Sequence, residues 1–401
     1  MVIVGFEWYS DLSLKSMAWK SRQKGKKKKR NDYIIKAETD LTKRCMEDIL
    51  GTTETKKSVT TLLMNALESH LKDRSIAYFI SGNGTILSSQ TGHGETNHTE
   101  GETAIITGLC SVDLRHKRVV VYGSDVDLFV LLIAHYQNIV CQMMFMKSLA
   151  GYTSITATFD FLGHQVASAL LSFHALTGCD VSGKFSGKTK EFWTKRFLAD
   201  RTNAAFIRAL VSLQQFLSDN VVDEIVKFFC KHYCPKRTAK KFISSLQETR
   251  YHLYKKYRSE TCKLPPSPGA FLQHVKRACV LLRIWSSANL ADTTVPIATD
   301  FGWEDCAGVI MPICTEEEIA PEHLVTLVSC NCNGECSKNQ CTCKKNNVAC
   351  TDFCGCGDRC VNTDMRPPAD LGADEDDDGA ESSQENASEE EQGEEVEDTE
   401  L

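Results

Sequence analysis

The sequence lacks the features that would direct the chain into or across a membrane. Residues 1–5 contain no basic side chain, and Glu7 and Asp11 follow almost at once, so no secretory signal is predicted. The longest stretch without charge, residues 128–146, is interrupted by four polar side chains, His135, Gln137, Asn138 and Gln142. We therefore expect no membrane segment. The ten cysteines outside residues 330–360 show no pairing pattern, which predicts reduced thiols of the cytosol or nucleus.

Internal repeats, a nucleotide-binding loop and a histidine metal motif are also missing. Residues 183–189 resemble a phosphate loop, but that motif requires glycine at position 182, where the chain has Ser182. We therefore expect no nucleoside triphosphatase, and Lys184, Lys188 and Lys190 become candidate contacts to a nucleic-acid backbone. Four histidines without metal-like spacing are predicted to be structural: His98, His135, His164 and His174.

Charge is distributed unevenly along the chain. Sixteen Asp or Glu residues and no Lys or Arg lie in residues 370–401, so the formal net charge of −7 becomes +9 without them. Residues 364–401 are predicted to be a disordered acidic tail. The basic run at residues 24–30 is either a nuclear localisation signal or an edge that contacts phosphate. Both interpretations predict a nuclear protein that handles nucleic acid.

Residues 227–263 are the most basic segment. Eleven Lys or Arg oppose only Glu248 and Glu260, and aromatic residues alternate with the cations. Such cations neutralise phosphates, and aromatic rings stack on unpaired bases. The alternative is a solvated helix face whose aromatic side chains point inward. The candidate nucleic-acid contacts here are Lys240, Lys241, Lys255, Lys256 and Arg258.

Nine cysteines lie between residues 330 and 360, in a stretch with no apolar run able to build a core. Thiolate ligands at this density suit tetrahedral zinc. Three tetrahedral ions need twelve bonds, which nine sulfurs provide if three of them bridge, so a Zn3Cys9 cluster is predicted. Disulfides or an iron–sulfur site are the alternatives. The predicted ligands are Cys330, Cys332, Cys336, Cys341, Cys343, Cys350, Cys354, Cys356 and Cys360.

The first 190 residues alternate short apolar segments with amphipathic ones, which predicts an α/β domain with a mostly parallel sheet. The predicted strands are 2–6, 77–80, 118–122 and 139–144. The predicted helices are 12–22, 99–109, 127–136 and 164–176. Helical periodicity then continues over 191–287, broken at 264–269, and residues 288–327 are predicted to be irregular.

Carboxylates recur where an α/β sheet would bring them together. Glu100 and Glu102 open a predicted helix, Asp125 and Asp127 follow a predicted strand, and Asp180 enters a turn. Oxygen ligands from several elements suit Mg²⁺ or Mn²⁺, and two such ions can hold a phosphodiester in line. The alternative for each pair is a capping box, Thr99-x-x-Glu102 and Ser124-x-x-Asp127.

The segment CNCNGECSKNQCTCKKNNVACTDFCGCGDRCVN resembles the CXC domain of the tesmin/TSO1 family. That resemblance implies DNA binding by about a tenth of the chain. Lys344 and Lys345 are the candidate contacts within it.

The order of the carboxylates resembles the flap-endonuclease branch of the PIN-like nucleases, in transposon-derived proteins that end in a CXC domain. Its helix start, its S-x-D-x-D strand end and its L-x-G-C-D turn match Glu100/Glu102, Asp125/Asp127 and Asp180. Glu7 occupies a position where the family has Asp. Family members also begin with an earlier strand that carries another metal-ligating Asp, and this sequence does not contain it.

Together these features predict four segments. They are a PIN/flap-endonuclease-like α/β domain (1–190) without its first strand, a basic helical region (191–327), a CXC zinc domain (328–363) and the acidic tail (364–401). The predicted function is binding of double-stranded or branched DNA, with chromatin proteins as further candidate partners and with weak or absent nuclease activity. The alternative is an active Mg²⁺-dependent, structure-specific endonuclease of transposon origin. The sequence does not define the oligomeric state.

Overall fold

The structure is a computed structural model of the 401-residue chain. It describes residues 1–8, 32–40, 50–179, 182–210, 219–234, 245–257, 263–292, 295–306, 309–317, 329–338, 340–346, 348–351, 354–357 and 360–362. The chain divides into two compact units, Met1–Ile319 and Ala320–Leu401. The predicted boundary at residue 190 therefore lies inside the first unit, and the predicted boundary at residue 327 lies near the start of the second.

The first sheet contains four strands in the order β1-β2-β3-β4. Its strands are β1 (Val2–Gly5), β2 (Tyr78–Gly82), β3 (Thr85–Ser88) and β4 (Gly94–Glu95). β1 and β2 are parallel, whereas β2, β3 and β4 are antiparallel. The β2–β3 turn is formed by Asn83 and Gly84, whose φ angles are 47° and 77°. Two successive positive φ angles are what a tight hairpin turn requires, and Asn-Gly adopts them readily.

The second sheet contains three strands in the order β5-β6-β7. Its strands are β5 (Arg118–Tyr122), β6 (Met143–Ser148) and β7 (Gly151–Ser154). β5 and β6 are parallel, and a short loop at Leu149 and Ala150 turns the chain back so that β7 runs antiparallel to β6. The prediction of an α/β fold is confirmed. The prediction of a mostly parallel sheet is wrong, because the two hairpins add antiparallel strands and the sheets are mixed.

Helices pack against both sheets. α1 (Thr53–Asp73) precedes β2, α2 (Gly101–Ser111) follows β4, and α3 (Val126–Ala134) connects β5 towards β6. The chain then forms a long helix and five further helices. They are α4 (Ile155–Thr177), α5 (Lys190–Ala199), α6 (Ala204–Ala209), α7 (Asp219–Tyr233), α8 (Leu246–Tyr257) and α9 (Pro268–Ser286). Gly163, with φ 74°, interrupts the helical backbone of α4.

One apolar core joins the second sheet to helices of the first unit. A separate apolar cluster lies between α1 and the first sheet and consists of Met64, Leu71, Tyr78, Ile80 and Leu87. Met144 of β6 and Leu131 of α3 belong to the same buried cluster as Trp193, Phe229 and Trp285 of the later helices. The predicted basic helical region therefore shares its core with the α/β part. Burying such large apolar side chains is the main source of stability for a unit of this kind.

Most of the predicted elements in the described residues are confirmed, with ends shifted by a few positions. The exceptions are instructive. α1 and the strands β3, β4 and β7 were not predicted. Residues 288–327 were predicted to be irregular but contain the hairpin β8 (Trp303–Cys306) and β9 (Val309–Pro312). The predicted helix 12–22, the basic run 24–30 and the acidic tail lie outside the described residues.

The second unit has little regular structure. Its helix in the described residues is α10 (Thr342–Lys345). The buried side chains there are seven cysteines and Asn362. No helix in the described part of the chain is both long and apolar enough to span a membrane.

Candidate metal centre and carboxylate site

The nine predicted cysteine ligands come together in the second unit. Seven are buried, and Cys332 and Cys360 are partly buried beside them. Sulfur–sulfur distances range from 3.6 Å for Cys343 and Cys354 to 4.0 Å for Cys330 and Cys350. These distances are far longer than a disulfide bond of about 2.05 Å. A tetrahedral ion with Zn–S bonds of about 2.3 Å holds its sulfurs about 3.8 Å apart, so the spacing fits metal ligation.

The cysteines form overlapping groups. In each group four sulfurs lie within 4.8 Å of one another, and Cys350 belongs to all of the groups. The groups are Cys330/Cys336/Cys341/Cys350, Cys330/Cys350/Cys354/Cys356 and Cys336/Cys350/Cys356/Cys360. Shared members are expected where one sulfur bridges two ions. The cluster can therefore bind zinc or another metal that prefers thiolates.

Hydrogen-bond donors point at several of the sulfurs. The backbone N–H groups of Cys330 and Thr351 lie 3.4 Å from the Cys354 sulfur. Burial raises the pKa of the Cys354 thiol, but these donors outweigh it and lower the pKa to about 7. The backbone N–H of Lys344 in α10 lowers the pKa of Cys341 to about 6. Such donors stabilise the thiolate form that binds metal.

Asn362 supports the cluster from its edge. Its amide nitrogen donates to the Cys350 sulfur at 3.3 Å and to the Val348 carbonyl at 3.0 Å. Its backbone N–H donates to the Cys360 sulfur at 3.4 Å. Asn362 therefore contacts two of the predicted ligands, Cys350 through its side-chain amide and Cys360 through its backbone N–H. The sequence analysis did not single it out.

Among the carboxylates, Glu100 is buried at the start of α2. It is the residue that precedes the helix, but its side chain does not cap it. One carboxylate oxygen instead accepts a hydrogen bond from the indole N–H of Trp285 at 2.9 Å. Thr99-x-x-Glu102 is therefore not a capping box, because the helix begins one residue later and the Glu100 side chain points to α9.

Asp127 is held by a buried histidine. Nε2 of His174, in α4, donates to a carboxylate oxygen of Asp127 at 2.6 Å. The ring of His174 lies 5.6 Å from the Trp285 ring. Glu100 and Asp127 are thus connected through two neighbouring aromatic side chains, although 27 positions separate them in the sequence.

Asp125 is the residue that caps α3. Its carboxylate accepts a hydrogen bond from the Asp127 backbone N–H at 2.8 Å. The predicted box Ser124-x-x-Asp127 is therefore wrong by one residue: an aspartate caps this helix, and Asp127 lies in its first turn.

Glu7 follows β1 and lies beside the start of α2. The backbone N–H of Trp8 donates to the Thr99 carbonyl at 3.0 Å. Gly101 permits this close approach, because a Cβ atom there would lie 3.0 Å from the Gly5 carbonyl oxygen. Glu7 is therefore adjacent to the chain segment that carries Glu100 and Glu102.

These carboxylates do not form a tight cage in the described residues. There, the groups of three or more potential ligands within 4.8 Å of one another consist of cysteines alone. Asp180 lies outside the described residues. The predicted Mg²⁺ or Mn²⁺ site therefore stays a prediction.

The histidines differ from one another in their partners. His98 and His135 donate to the backbone carbonyls of Leu290 and Trp285 at 2.6 and 2.7 Å, which confirms them as structural. His164 is exposed. His174 is different because it contacts a candidate ligand, and burial lowers its pKa even though Asp127 opposes the shift. No sequence signal connects His174 to a residue 47 positions away.

Lys190 lies close to this pair. Its ammonium donates to the His174 carbonyl at 3.2 Å and to the Gly178 carbonyl. Burial lowers the pKa of Lys190 to about 8, although the negative charge of Asp127 opposes this shift. Lys190 was predicted, with Lys184 and Lys188, to contact a nucleic-acid backbone, and in the structure its ammonium is bonded to these two carbonyls.

The candidate nucleic-acid contacts occupy several surfaces. Lys184 is exposed, and Lys188 lies 4.3 Å from the Phe192 ring. In the second unit Lys345 is exposed, and Lys344 donates to the Ser337 carbonyl at 2.6 Å. Lys240, Lys241, Arg258 and the Lys256 side chain lie outside the described residues.

Tyr251 and Tyr254 of α8 point outward. Tyr251 and Tyr254 are 62% and 52% exposed, while Leu253 between them is buried. The ammonium of Lys255 lies 4.2 Å from the centre of the Tyr251 ring. The alternative in which these tyrosines point inward is therefore wrong.

No protein-family model, no curated protein and no solved structure matches this chain. The two family resemblances therefore stay predictions. Functional conclusions rest on the residues and their geometry.

Proposed function

We propose that the chain is a nucleic-acid-binding protein of the nucleus. In this proposal the second unit is a CXC domain built on a Zn3Cys9 cluster. The first unit is a PIN/flap-endonuclease-like domain with weak or no nuclease activity. DNA, double-stranded or branched, is the proposed ligand.

The zinc assignment is supported by the sulfur geometry. Nine free thiols, several overlapping four-sulfur groups and N–H donors aimed at the sulfurs suit a cluster with bridging thiolates. An iron–sulfur cluster also uses thiolate ligands, but iron would be accompanied by visible absorption. Elemental analysis of the purified protein is expected to give close to three zinc ions per chain. Iron, or no metal, would overturn this part.

The observation that carries nucleic-acid binding is the outward face of α8. Tyrosine is amphipathic, and two exposed rings three residues apart beside Lys255 offer bases a stacking surface and phosphates a positive charge. The surrounding segment 227–263 contains nine more cations than acids, by the residue count. Contact of the exposed aromatic rings with water is unfavourable, and a ligand that covers them removes it.

Weak or absent cleavage is proposed because the carboxylates already have protein partners. Glu100 and Asp127 each use an oxygen to accept a hydrogen bond from a buried ring. Glu7 also carries one methylene more than the Asp of the family pattern. Metal catalysis depends on ligand placement within a fraction of an ångström, so these features oppose efficient turnover.

Binding is tested by fluorescence anisotropy with a labelled branched DNA that contains unpaired bases, on which the rings can stack. The double variant Tyr251→Ala/Tyr254→Ala is expected to lower the affinity by roughly tenfold or more, since stacking contributes about 1 to 3 kcal/mol per base. Tyr251→Phe/Tyr254→Phe keeps both rings and is expected to retain most of the affinity. Failure of the wild-type protein to bind any DNA at about 0.1 M salt would overturn the proposal.

An active nuclease is the second candidate, and one observation favours it. Trp285 and His174 bring Glu100 and Asp127 into one buried network at the helix starts that follow β4 and β5. Cleavage of a branched DNA substrate with Mg²⁺ or Mn²⁺, abolished by Asp125→Asn, would establish this candidate. No cleavage by the wild-type protein is the result expected from the first proposal.

A further inference from the structure

The second sheet has an open face. In β5 Val119 and Val121 are buried, whereas Val120 and Tyr122 are 43% and 74% exposed. The same alternation continues across the register, because Val120 pairs with Phe145. The side chains on the open side form what we call the sheet face: Arg118, Val120, Tyr122, Met143, Phe145, Lys147, Tyr152 and Ser154.

One row of this face places a cation between two tyrosines. Tyr122 of β5 pairs with Lys147 of β6, and Lys147 pairs with Tyr152 of β7. Neighbouring strands lie about 4.8 Å apart, so the two tyrosines stand about 10 Å apart across the sheet. Lys147 leans towards Tyr152, with its ammonium 4.6 Å from the ring centre. Tyr152 is itself 63% exposed.

The chemistry of the sheet face is aromatic and positive. Three of its eight side chains are aromatic, two are cationic and none is acidic. Along β5, the nearest acid beyond Tyr122 is Asp125, which lies past the strand end and caps α3. A flat array of rings with cations between them complements unpaired bases joined by phosphates. It does not complement a duplex, whose base faces are already stacked.

We propose that the sheet face binds a single-stranded segment of nucleic acid. Bases stack on Tyr122 and Tyr152, and Lys147 and Arg118 neutralise the phosphates. This inference rests on the proposed nucleic-acid function and specifies an unpaired strand as the ligand. It also separates two surfaces of the first unit, the sheet face and the exposed side of α8.

The test measures binding of a fluorescein-labelled oligothymidine of about 12 nucleotides and of a blunt duplex to the full chain. Tyr122→Ala/Tyr152→Ala is expected to weaken oligothymidine binding at least tenfold and to change duplex binding by less than about twofold. Tyr122→Phe/Tyr152→Phe keeps the rings and is expected to restore most of the affinity. Phe161→Ala removes an aromatic residue that is 69% exposed on α4, outside the sheet face, and is the matched control.

Equal losses for oligothymidine and duplex, or no loss at all, would overturn the sheet-face proposal. A wild-type dimer that becomes monomeric in the alanine variant would also overturn it, because the face would then be an interface between copies. If Tyr251→Ala/Tyr254→Ala weakens binding while the sheet-face variant does not, only this inference fails. If the wild-type protein binds neither ligand, the proposed function fails with it.

Discussion

In the first unit the buried side chains are large and apolar, such as Trp193 and Phe271, whereas in the described part of the second they are cysteines and Asn362. An apolar core gains free energy simply by leaving water. Buried thiols contribute little in this way, and thiolates repel one another unless a cation lies between them. The first unit can therefore fold from its own side chains, and we propose that the second folds around metal.

Removal of metal should produce the largest difference in stability between the two units. A zinc chelator is expected to unfold the second unit and leave the first intact, because structural zinc supplies about 10 to 16 kcal/mol of apparent binding free energy in small domains. All five tryptophans precede residue 320, so tryptophan fluorescence reports on the first unit alone. Hydrogen exchange reports on residues 330–360. A shift of the thermal midpoint followed by tryptophan would show that the units depend on one another.

The converse test destabilises the first unit by a substitution that creates a cavity in its core. Phe229 is fully buried, with its ring 4.4 Å from Phe185 and 4.7 Å from Trp193. Phe229→Ala is expected to lower the free energy of unfolding of the first unit by about 3 to 5 kcal/mol. The zinc content should not change. The exposed Phe161→Ala is the control, with an expected effect within about 0.5 kcal/mol.

A substitution of Asn362 tests what supports the metal ligands of the second unit. Asn362→Ala removes the amide that donates to the Cys350 sulfur and the Val348 carbonyl, so metal affinity is expected to fall about 10- to 100-fold. Competition with a coloured chelator measures this change. Val361→Ala alters the exposed neighbour and should leave affinity unchanged. Equal effects of both variants would contradict the role assigned to the amide.

Acid should lower the free energy of unfolding of the first unit, and this effect is expected to be smaller than those above. Burial lowers the pKa of His274 in the folded state, although its hydrogen bond to the Leu176 carbonyl opposes the shift. Below about pH 6.5 the unfolded chain takes up a proton that the folded chain refuses, so stability falls as the pH decreases.

His274→Gln removes this titrating group and keeps a side-chain donor. The free energy of unfolding from tryptophan fluorescence is expected to depend less steeply on pH between 7 and 5 in this variant. A steeper dependence would contradict the assigned sign. His135 has the same direction of shift from burial, so part of the dependence should remain.

Local patterns predicted much of the architecture. The run Arg118–Tyr122 is β5 as expected, and α9 follows the predicted break at residues 264–269. The hairpins were not predicted, because the alternation of β and α segments favours parallel strands. Asn83-Gly84 is nevertheless a strong signal for a hairpin turn. α1 was missed, and its apolar positions are few among many polar ones.

The carboxylate site shows where sequence reasoning ends. Glu100 and Asp127 were predicted as metal ligands, which stays a prediction, and the groups that bind them, Trp285 and His174, lie 185 and 47 positions away. No local period or spacing encodes such a contact, because it arises when helices from distant parts of the chain pack into one core.

The sequence by itself predicted that nine cysteines gather, because residues 330–360 contain no apolar run able to build a core and the short spacing confines the sulfurs. It also determined the strands and helices whose apolar periodicity is strong. Only the tertiary structure decided that the sheets are mixed, that Asn362 supports the sulfurs and that the tyrosines of α8 and the sheet face point outward. The physical reason is that exposure, hydrogen-bond partners and shared cores depend on which distant elements pack together, and packing is a property of the whole chain.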